Sequence, residues 1–412
     1  MIKREVYLEK IKNGFGTVPI VVLIGARQVG KTSLMNDFIT DKPSLFLNGQ
    51  NPETAQLFQK FSLIEPYLQV YLNTDLNGFL LIDEFQYVHG ISVMLKLLTD
   101  KHPQLKILCS GSSSLDILQK VEESLAGRVR VIEVLPLSFA EYILFNNEKM
   151  SKLYETFDKN TQSSALTAPI EQLYSEYLIY GGLPRAALTK NKDEKIDILN
   201  DIYQTYLLKD VRNYIHNEQT VGFNRMLRLL ASQVGNLLNI NKLSRESGIP
   251  YKQCKEYLYL LEQMYIIKLI EPYLVNKRKA ITKMKKIYFC DTGLRNMIER
   301  NFNEISFRAD NGAIFENAVL LELWQNKGAG GELQFYRTTD GTEVDFVHIS
   351  ATDKKAVECK FKKFNEPINL IGFNNFCNAE KIEKRFVINT TLNILHNGTR
   401  FIQGFLVGKI TP

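Results

Sequence analysis

The chain has 412 residues, of which 45% are hydrophobic and 23% charged, and a formal net charge of +6. That describes an ordinary globular protein of roughly two or three domains, and its mild basic excess permits an acidic polymer as partner without requiring one. Five cysteines (Cys109, Cys254, Cys290, Cys359, Cys377) with no C-x-x-C pair argue against a disulfide framework and a thiolate zinc site and point to a reducing compartment.

The opening "MIKREVYLEKIKNGFG" reads as an amphipathic charged helix rather than a signal peptide, and no apolar run approaches the roughly 20 residues of a membrane span. The expected location is cytoplasmic, with no membrane partner. Next, "VVLI" predicts a buried strand, and "GARQVGKT" from Gly25 to Thr32 fits G-x-x-x-x-G-K-[ST]. In that pattern, backbone N–H groups of the loop and the start of the helix "KTSLMNDFI" surround phosphate oxygens. Gly30 lets the backbone approach, Lys31 reaches the β- and γ-phosphates, the Thr32 hydroxyl ligates Mg²⁺, and Ser33 joins the nucleotide contacts.

"GFLLIDEFQYV" predicts a second buried strand ending in Asp83 and Glu84. Acids at the carboxyl end of a parallel strand face the crevice in which open α/β sheets bind ligands. Asp83 is the expected Mg²⁺ ligand and Glu84 the group that orients and deprotonates an attacking water, so ATP hydrolysis is expected rather than passive binding.

"QLKILCSGSSSLDIL" predicts a further buried strand ending in small hydroxyl residues. With it the region resembles the AAA-type P-loop ATPases of bacteria and archaea. The resemblance implies a γ-phosphate sensor at Ser110 and, through the Gly-Arg pair of "SLAGRVRVIEVLPLSFAEY", an arginine at Arg128 that feels phosphate charge. A surface salt bridge is the other reading of Arg128, and both stand. "YGGLPRA" is similar to the family's G-x-P element, with Arg185 a weaker sensor candidate.

Residues 141–220 read as lid or linker helices whose tyrosines (Tyr174, Tyr177, Tyr203, Tyr206) belong to the core. From Phe223 three short helices follow, two joined by the turn Gly248-Ile249-Pro250, then two strands flanking a basic tip: the layout of a winged helix over 221–295. Lys252 and Lys255, with Lys277, Arg278, Lys279, Lys283, Lys285 and Lys286, would meet DNA phosphates, or else form a solvated hairpin on a packing module.

The stretch 296–412 carries "FENAVLLELWQ", "ELQFYRTTDGTEVDFVHIS" and "KAVECKFKK". Period-two alternation places Glu343 and Asp345 on one strand face and Glu358 and Lys360 on one face of the next. Asp345 and Glu358 offer hard oxygens to Mg²⁺, Lys360 positions or helps deprotonate water, and Glu316 on the preceding helix orients the metal's water shell. The arrangement is similar to the restriction-endonuclease-like nucleases, with Glu-Val-Asp where their motif has Pro-Asp. The domain either cuts DNA or binds DNA or a partner without cutting. The five histidines (His89, His102, His216, His348, His396) occur singly, and no zinc site is expected.

Taken whole, the order of ATPase core (1–140), lid, winged helix and nuclease-like α/β domain resembles a widespread prokaryotic ATPase family whose C-terminal region is a domain of unknown function. The expected fold is α/β with a parallel P-loop sheet; the expected cofactors are ATP and Mg²⁺. The expected function is an ATPase whose nucleotide state controls a DNA-binding, DNA-cleaving C-terminal half. A nucleotide-driven switch with a noncatalytic C-terminal half is the alternative, and a homo-oligomer stays open.

Overall fold

The computed structural model describes residues 3–40, 42–112, 125–158, 161, 164–210, 220–273, 284–328, 330–338 and 341–410. The chain divides into two compact units, Met1–Leu135 with Gln263–Tyr265, and Pro136–Glu262 with Ile266–Pro412. The three segments distinguished in the sequence after residue 140 therefore pack as one body.

The first unit runs α1 (Glu5–Phe15), β1 (Ile20–Ile24), α2 (Lys31–Phe38), β2 (Ser44–Asn48), α3 (Pro52–Leu57), α4 (Phe61–Leu72), β3 (Phe79–Asp83), α5 (Ile91–Lys101), β4 (Lys106–Gly111) and β5 (Val129–Glu133). The strands form a parallel sheet in the order β2-β3-β4-β1-β5. All five residues of β1 are buried, as a central parallel strand covered on both faces requires. Because β4 lies between β1 and β3, the loop after β1, Ser110 near the end of β4 and the acids ending β3 share one edge of the sheet.

In the second unit, the helices Phe139–Asn146 and Ala168–Tyr180 bury Tyr174 and Tyr177 against Phe139, the core role expected of these tyrosines. The helices Thr220–Ser232, Ile240–Ser247 and Tyr251–Gln263 lead into the antiparallel pair β6 (Ile267–Pro272) and β7 (Lys286–Phe289). This hairpin is not a free wing: β6 also pairs in parallel with β8 (Glu332–Arg337) through Glu271 opposite Gln334 and Pro272 opposite Phe335. It thereby joins a sheet with β9 (Glu343–Ile349), β10 (Lys354–Cys359), β11 (Lys384–Asn389), β12 (Ile394–His396) and β13 (Thr399–Gln403), in the order β12-β13-β11-β10-β9-β8-β6-β7. The helix Asn311–Gln325 is buried along most of its length. Among the described residues, no helix is long and apolar enough to cross a membrane.

Candidate functional site

The loop between β1 and α2 is shaped by two glycines. Gly25 has φ 153°, and a Cβ there would stand 2.2 Å from the Val134 carbonyl oxygen; Gly30 is left-handed at φ 94° and opens α2. Lys31 folds back so that its Nζ donates to the carbonyls of Gly25 (2.9 Å) and Ala26 (2.8 Å). Burial pushes its pKa down to about 8, against the opposing pull of Glu84 and Asp83. The neighbouring Thr32 hydroxyl donates to Asp83 Oδ2 at 2.8 Å, and the Ser110 hydroxyl donates to Asp83 Oδ1. Thr32 and Asp83 thus present adjacent hard oxygens, the donor set that suits Mg²⁺.

Glu84 sits just beyond β3 in the left-handed region, φ 50° and ψ 44°, a costly conformation for a residue with a side chain. Its Oε2 accepts from Gln86 Nε2 (2.5 Å) and from the Ser112 hydroxyl (3.1 Å). Sequence reasoning missed Gln86 and Ser112; their nearness in the sequence to Glu84 and Ser110 was the signal. Arg4 was missed as well. It is 5% exposed and donates to the carbonyls of Val29, inside the loop, and Leu135.

Ser33 is on the exposed side of the first turn of α2. Arg128 is not brought to the loop. It precedes β5 at the amino end of the strands, where its carbonyl accepts from Ile20 N–H, a strand's length of about 16 Å from the phosphate loop. Its guanidinium pairs with Asp100 at 2.9 Å, both groups largely in solvent: the salt-bridge reading is the one realised within the chain.

A second constellation forms in the other unit. Strands β9 and β10 are antiparallel with Val357 opposite Phe346, and the same register sets Glu358 opposite Asp345. Asp345 Oδ2 accepts from Cys359 N–H (2.8 Å), and Glu358 Oε1 pairs with Lys360 Nζ (2.6 Å). Glu316, in the second turn of its helix rather than the first, accepts from Tyr288 OH (2.5 Å). All four expected residues are therefore brought together.

At the centre stands Lys286, expected in the basic wing. It is 1% exposed, and its Nζ lies 2.6 Å from Glu343, 3.0 Å from Glu316 and 3.4 Å from Asp345, so it is not available to DNA phosphates. The signal in the sequence was alternation: Lys286 and Tyr288 share a face of β7 and both reach Glu316. Lys285 pairs with Glu271 (2.9 Å), whereas Lys277, Arg278, Lys279 and Lys283 lie outside the described residues.

Burial, seconded by the Asp345 charge, raises Glu316 to about 7 and Glu358 to about 8. For Lys286, burial alone would lower the pKa, but Glu316, Asp345 and Glu343 outweigh it and hold the ammonium charged. One polar atom is left over: Glu358 Oε2 is buried with no hydrogen-bond partner, on a side chain 9% exposed. A buried carboxylate oxygen in that state calls for a cation or a donor. Among the described residues no group of three or more His, Cys, Asp or Glu converges as a metal cage. A cation between Asp345 and Glu358 would keep several waters, as Mg²⁺ does when bound through one or two carboxylates.

Family models match in three places: "AAA domain" over residues 17–143, "Domain of unknown function (DUF8612)" over 171–304 and "Domain of unknown function (DUF4143)" over 311–404. An uncharacterized protein of Methanocaldococcus jannaschii is 27% identical over 367 residues, covering 87% of this chain and 77% of its own. One of Haemophilus influenzae is 26% identical over 382 residues, covering 88% of this chain and 87% of its own. Among solved structures, a Walker-type ATPase of Pyrococcus abyssi aligns with a TM-score of 0.49 at 16% identity, over 73% of this chain and 96% of that one. The AAA domain match, on a unit whose Thr32, Asp83 and Ser110 converge beside a glycine loop, supports a P-loop ATPase family for the N-terminal part of the chain.

Proposed function

We propose that the first unit hydrolyses ATP with Mg²⁺ and that its nucleotide state controls a second unit which binds DNA and hydrolyses a phosphodiester. The observation that carries the ATPase reading is the hydrogen bonding of Thr32 and Ser110 to Asp83, with Glu84 held by Gln86 and Ser112 alongside. Lys31 supplies positive charge to the β- and γ-phosphates once they replace the loop carbonyls as its partners. Glu84, oriented by two donors, accepts the proton of the attacking water as the γ-phosphoryl group leaves ADP.

Support for the second activity is the unpartnered Glu358 Oε2 facing Asp345, with Lys360 beside it. A divalent cation there would polarise a phosphate oxygen and acidify a coordinated water. The Glu358 charge outweighs burial and raises the Lys360 pKa, so this lysine stabilises phosphate charge as an ammonium rather than taking a proton. Lys252 and Lys255, exposed on the helix Tyr251–Gln263, are the described cations suited to DNA phosphates.

One observation favours a noncatalytic second unit: Lys286 already neutralises part of the acid cluster. The deciding experiment is cleavage of supercoiled, linear and single-stranded DNA with Mg²⁺ or Mn²⁺, with and without ATP, beside Asp345→Ala and Lys31→Ala. Cleavage that disappears in Asp345→Ala and responds to ATP and Lys31→Ala supports the full reading. Intact ATP turnover without cleavage of any substrate supports the noncatalytic switch.

A further inference from the structure

Four carboxylates, Glu316, Glu343, Asp345 and Glu358, meet three cations in this cluster: Lys286, Lys360 on Glu358, and Arg337 on Glu343 at 3.1 Å. The balance is one negative charge, and the one carboxylate oxygen buried without a partner is Glu358 Oε2. The two halves of the cluster are unequally served. Glu316, Glu343 and Asp345 converge on a single ammonium, and Tyr288 OH gives Glu316 a further donor. Asp345 is shared, with Oδ1 toward Lys286 and Oδ2 on Cys359 N–H, opposite Glu358.

We propose that Lys286 is a positioning residue that occupies the place of a second metal ion, its ammonium bridging Glu316, Glu343 and Asp345, so that the acid cluster accepts one divalent cation where its carboxylates alone would accept two. The inference rests on the reading that Asp345 and Glu358 take a divalent cation. Two properties fit the ammonium for this task. It is almost fully buried, so its charge is not dissipated in solvent. It is also carried by β7, which pairs with β6, so its position is set by strand hydrogen bonds rather than by a loose surface stem. A lysine provides one charge and three donors, matching three carboxylate partners, and cannot dissociate as a metal can.

The test is Mn²⁺ binding to the full-length protein without nucleotide, counted by the electron paramagnetic resonance signal of free Mn²⁺. Wild type, Glu358→Gln, Lys286→Met and Lys286→Arg are compared. The expected result is one site in wild type that Glu358→Gln removes, two in Lys286→Met, and one again in Lys286→Arg. Lys286→Met should also melt at a lower temperature than wild type in EDTA and recover most of that loss in Mn²⁺, which a purely structural lysine would not show. Should Lys286→Met not fold, the double variant Lys286→Met/Glu343→Gln lowers the uncompensated charge and is expected to show the same extra site. A lysine-free variant that folds and still binds one Mn²⁺ overturns the proposal. Wild type with no site sensitive to Glu358→Gln would instead overturn the underlying cation-site reading, so the two failures are distinct.

Discussion

The Thr32 hydroxyl donates to the Asp83 carboxylate across 2.8 Å, tying the start of α2 to the end of β3 although 51 positions separate them in the chain. This bond orients both oxygens that a nucleotide-bound Mg²⁺ would use. Thr32→Val, which keeps the shape and removes the hydroxyl, is expected to lower Mg²⁺-dependent ATP turnover by roughly 10- to 100-fold. Thr32→Ser, which keeps the hydroxyl, should stay close to wild type. Phosphate release at varied Mg²⁺ separates the two; equal activity in both would remove Thr32 from the site.

Glu84 is fixed by Gln86 and Ser112 in a backbone conformation that disfavours a side chain, which argues for a role at that spot. As a general base, its loss in Glu84→Gln should cost about 100-fold or more in kcat while nucleotide affinity is retained. Single-turnover hydrolysis beside binding of a fluorescent nucleotide checks this. A fall in affinity without a fall in the chemical step would reassign Glu84 to binding.

Arg128 at the far end of the strands, paired with Asp100 in solvent, gives a contrasting expectation. An exposed ion pair contributes under about 1 kcal/mol, so Arg128→Ala should barely move the urea midpoint. Turnover at protein concentrations low enough to keep copies apart should equal wild type. A large loss that appears only as concentration rises would place this arginine in a neighbouring copy's site.

The ease with which these sites could be read follows the distance over which their residues are fixed. The phosphate loop and the Asp83-Glu84 pair are short contiguous segments at strand ends, where local pattern and buried apolar runs determine position. Asp345, Glu358 and Lys360 were legible because strand alternation and a hairpin register fix which side chains share a face. Lys286 was not, because its neighbours Lys283 and Lys285 made it look like one of a solvated basic run. Only the sheet pairing of β6 with β8, between residues more than sixty positions apart, reveals that this hairpin belongs to the acid cluster. Arg128 failed for a related reason: a Gly-Arg pair carries no information about which end of the strand it precedes.

"YGGLP" and "CDTG", two motifs far apart in sequence, meet in a way that makes the first structural. Asp291 accepts from Gly182 N–H (2.8 Å) and from Leu294 N–H (2.8 Å), capping the helix Thr292–Glu299, while a Cβ at Gly293 would lie 2.1 Å from the Tyr180 carbonyl oxygen. Both atoms belong to backbone held in packed helices, so neither can yield. Gly293→Ala should destabilise the second unit by about 3 kcal/mol. Denaturant melts followed by the single tryptophan, Trp324, which lies in that unit, would register it; a change within error would mean the two helix ends move apart freely.

Glu322 gives the second unit a dependence on pH. Its carboxylate is 2% exposed and accepts from Phe139 N–H (2.7 Å) and Tyr177 OH (3.4 Å), capping the helix that begins there. Burial raises its pKa from 4.5 to about 7, despite the Phe139 N–H that favours the charged form. The folded protein then holds this proton more tightly than the unfolded chain, so the contribution to stability is fully present below about pH 4.5 and is lost as pH rises through about 7. Converted at 1.36 kcal/mol per pKa unit, the change across that window is about 3 kcal/mol. Glu322→Gln cannot titrate and should flatten the stability difference between pH 5 and pH 8 by about that amount. Asp291, Glu316 and Glu358, whose pKa values are also raised, leave a remaining slope of the same sign, so the informative quantity is the difference between variant and wild type. Urea melts at the two pH values measure it, and equal slopes would mean that the Glu322 carboxyl is ionised throughout.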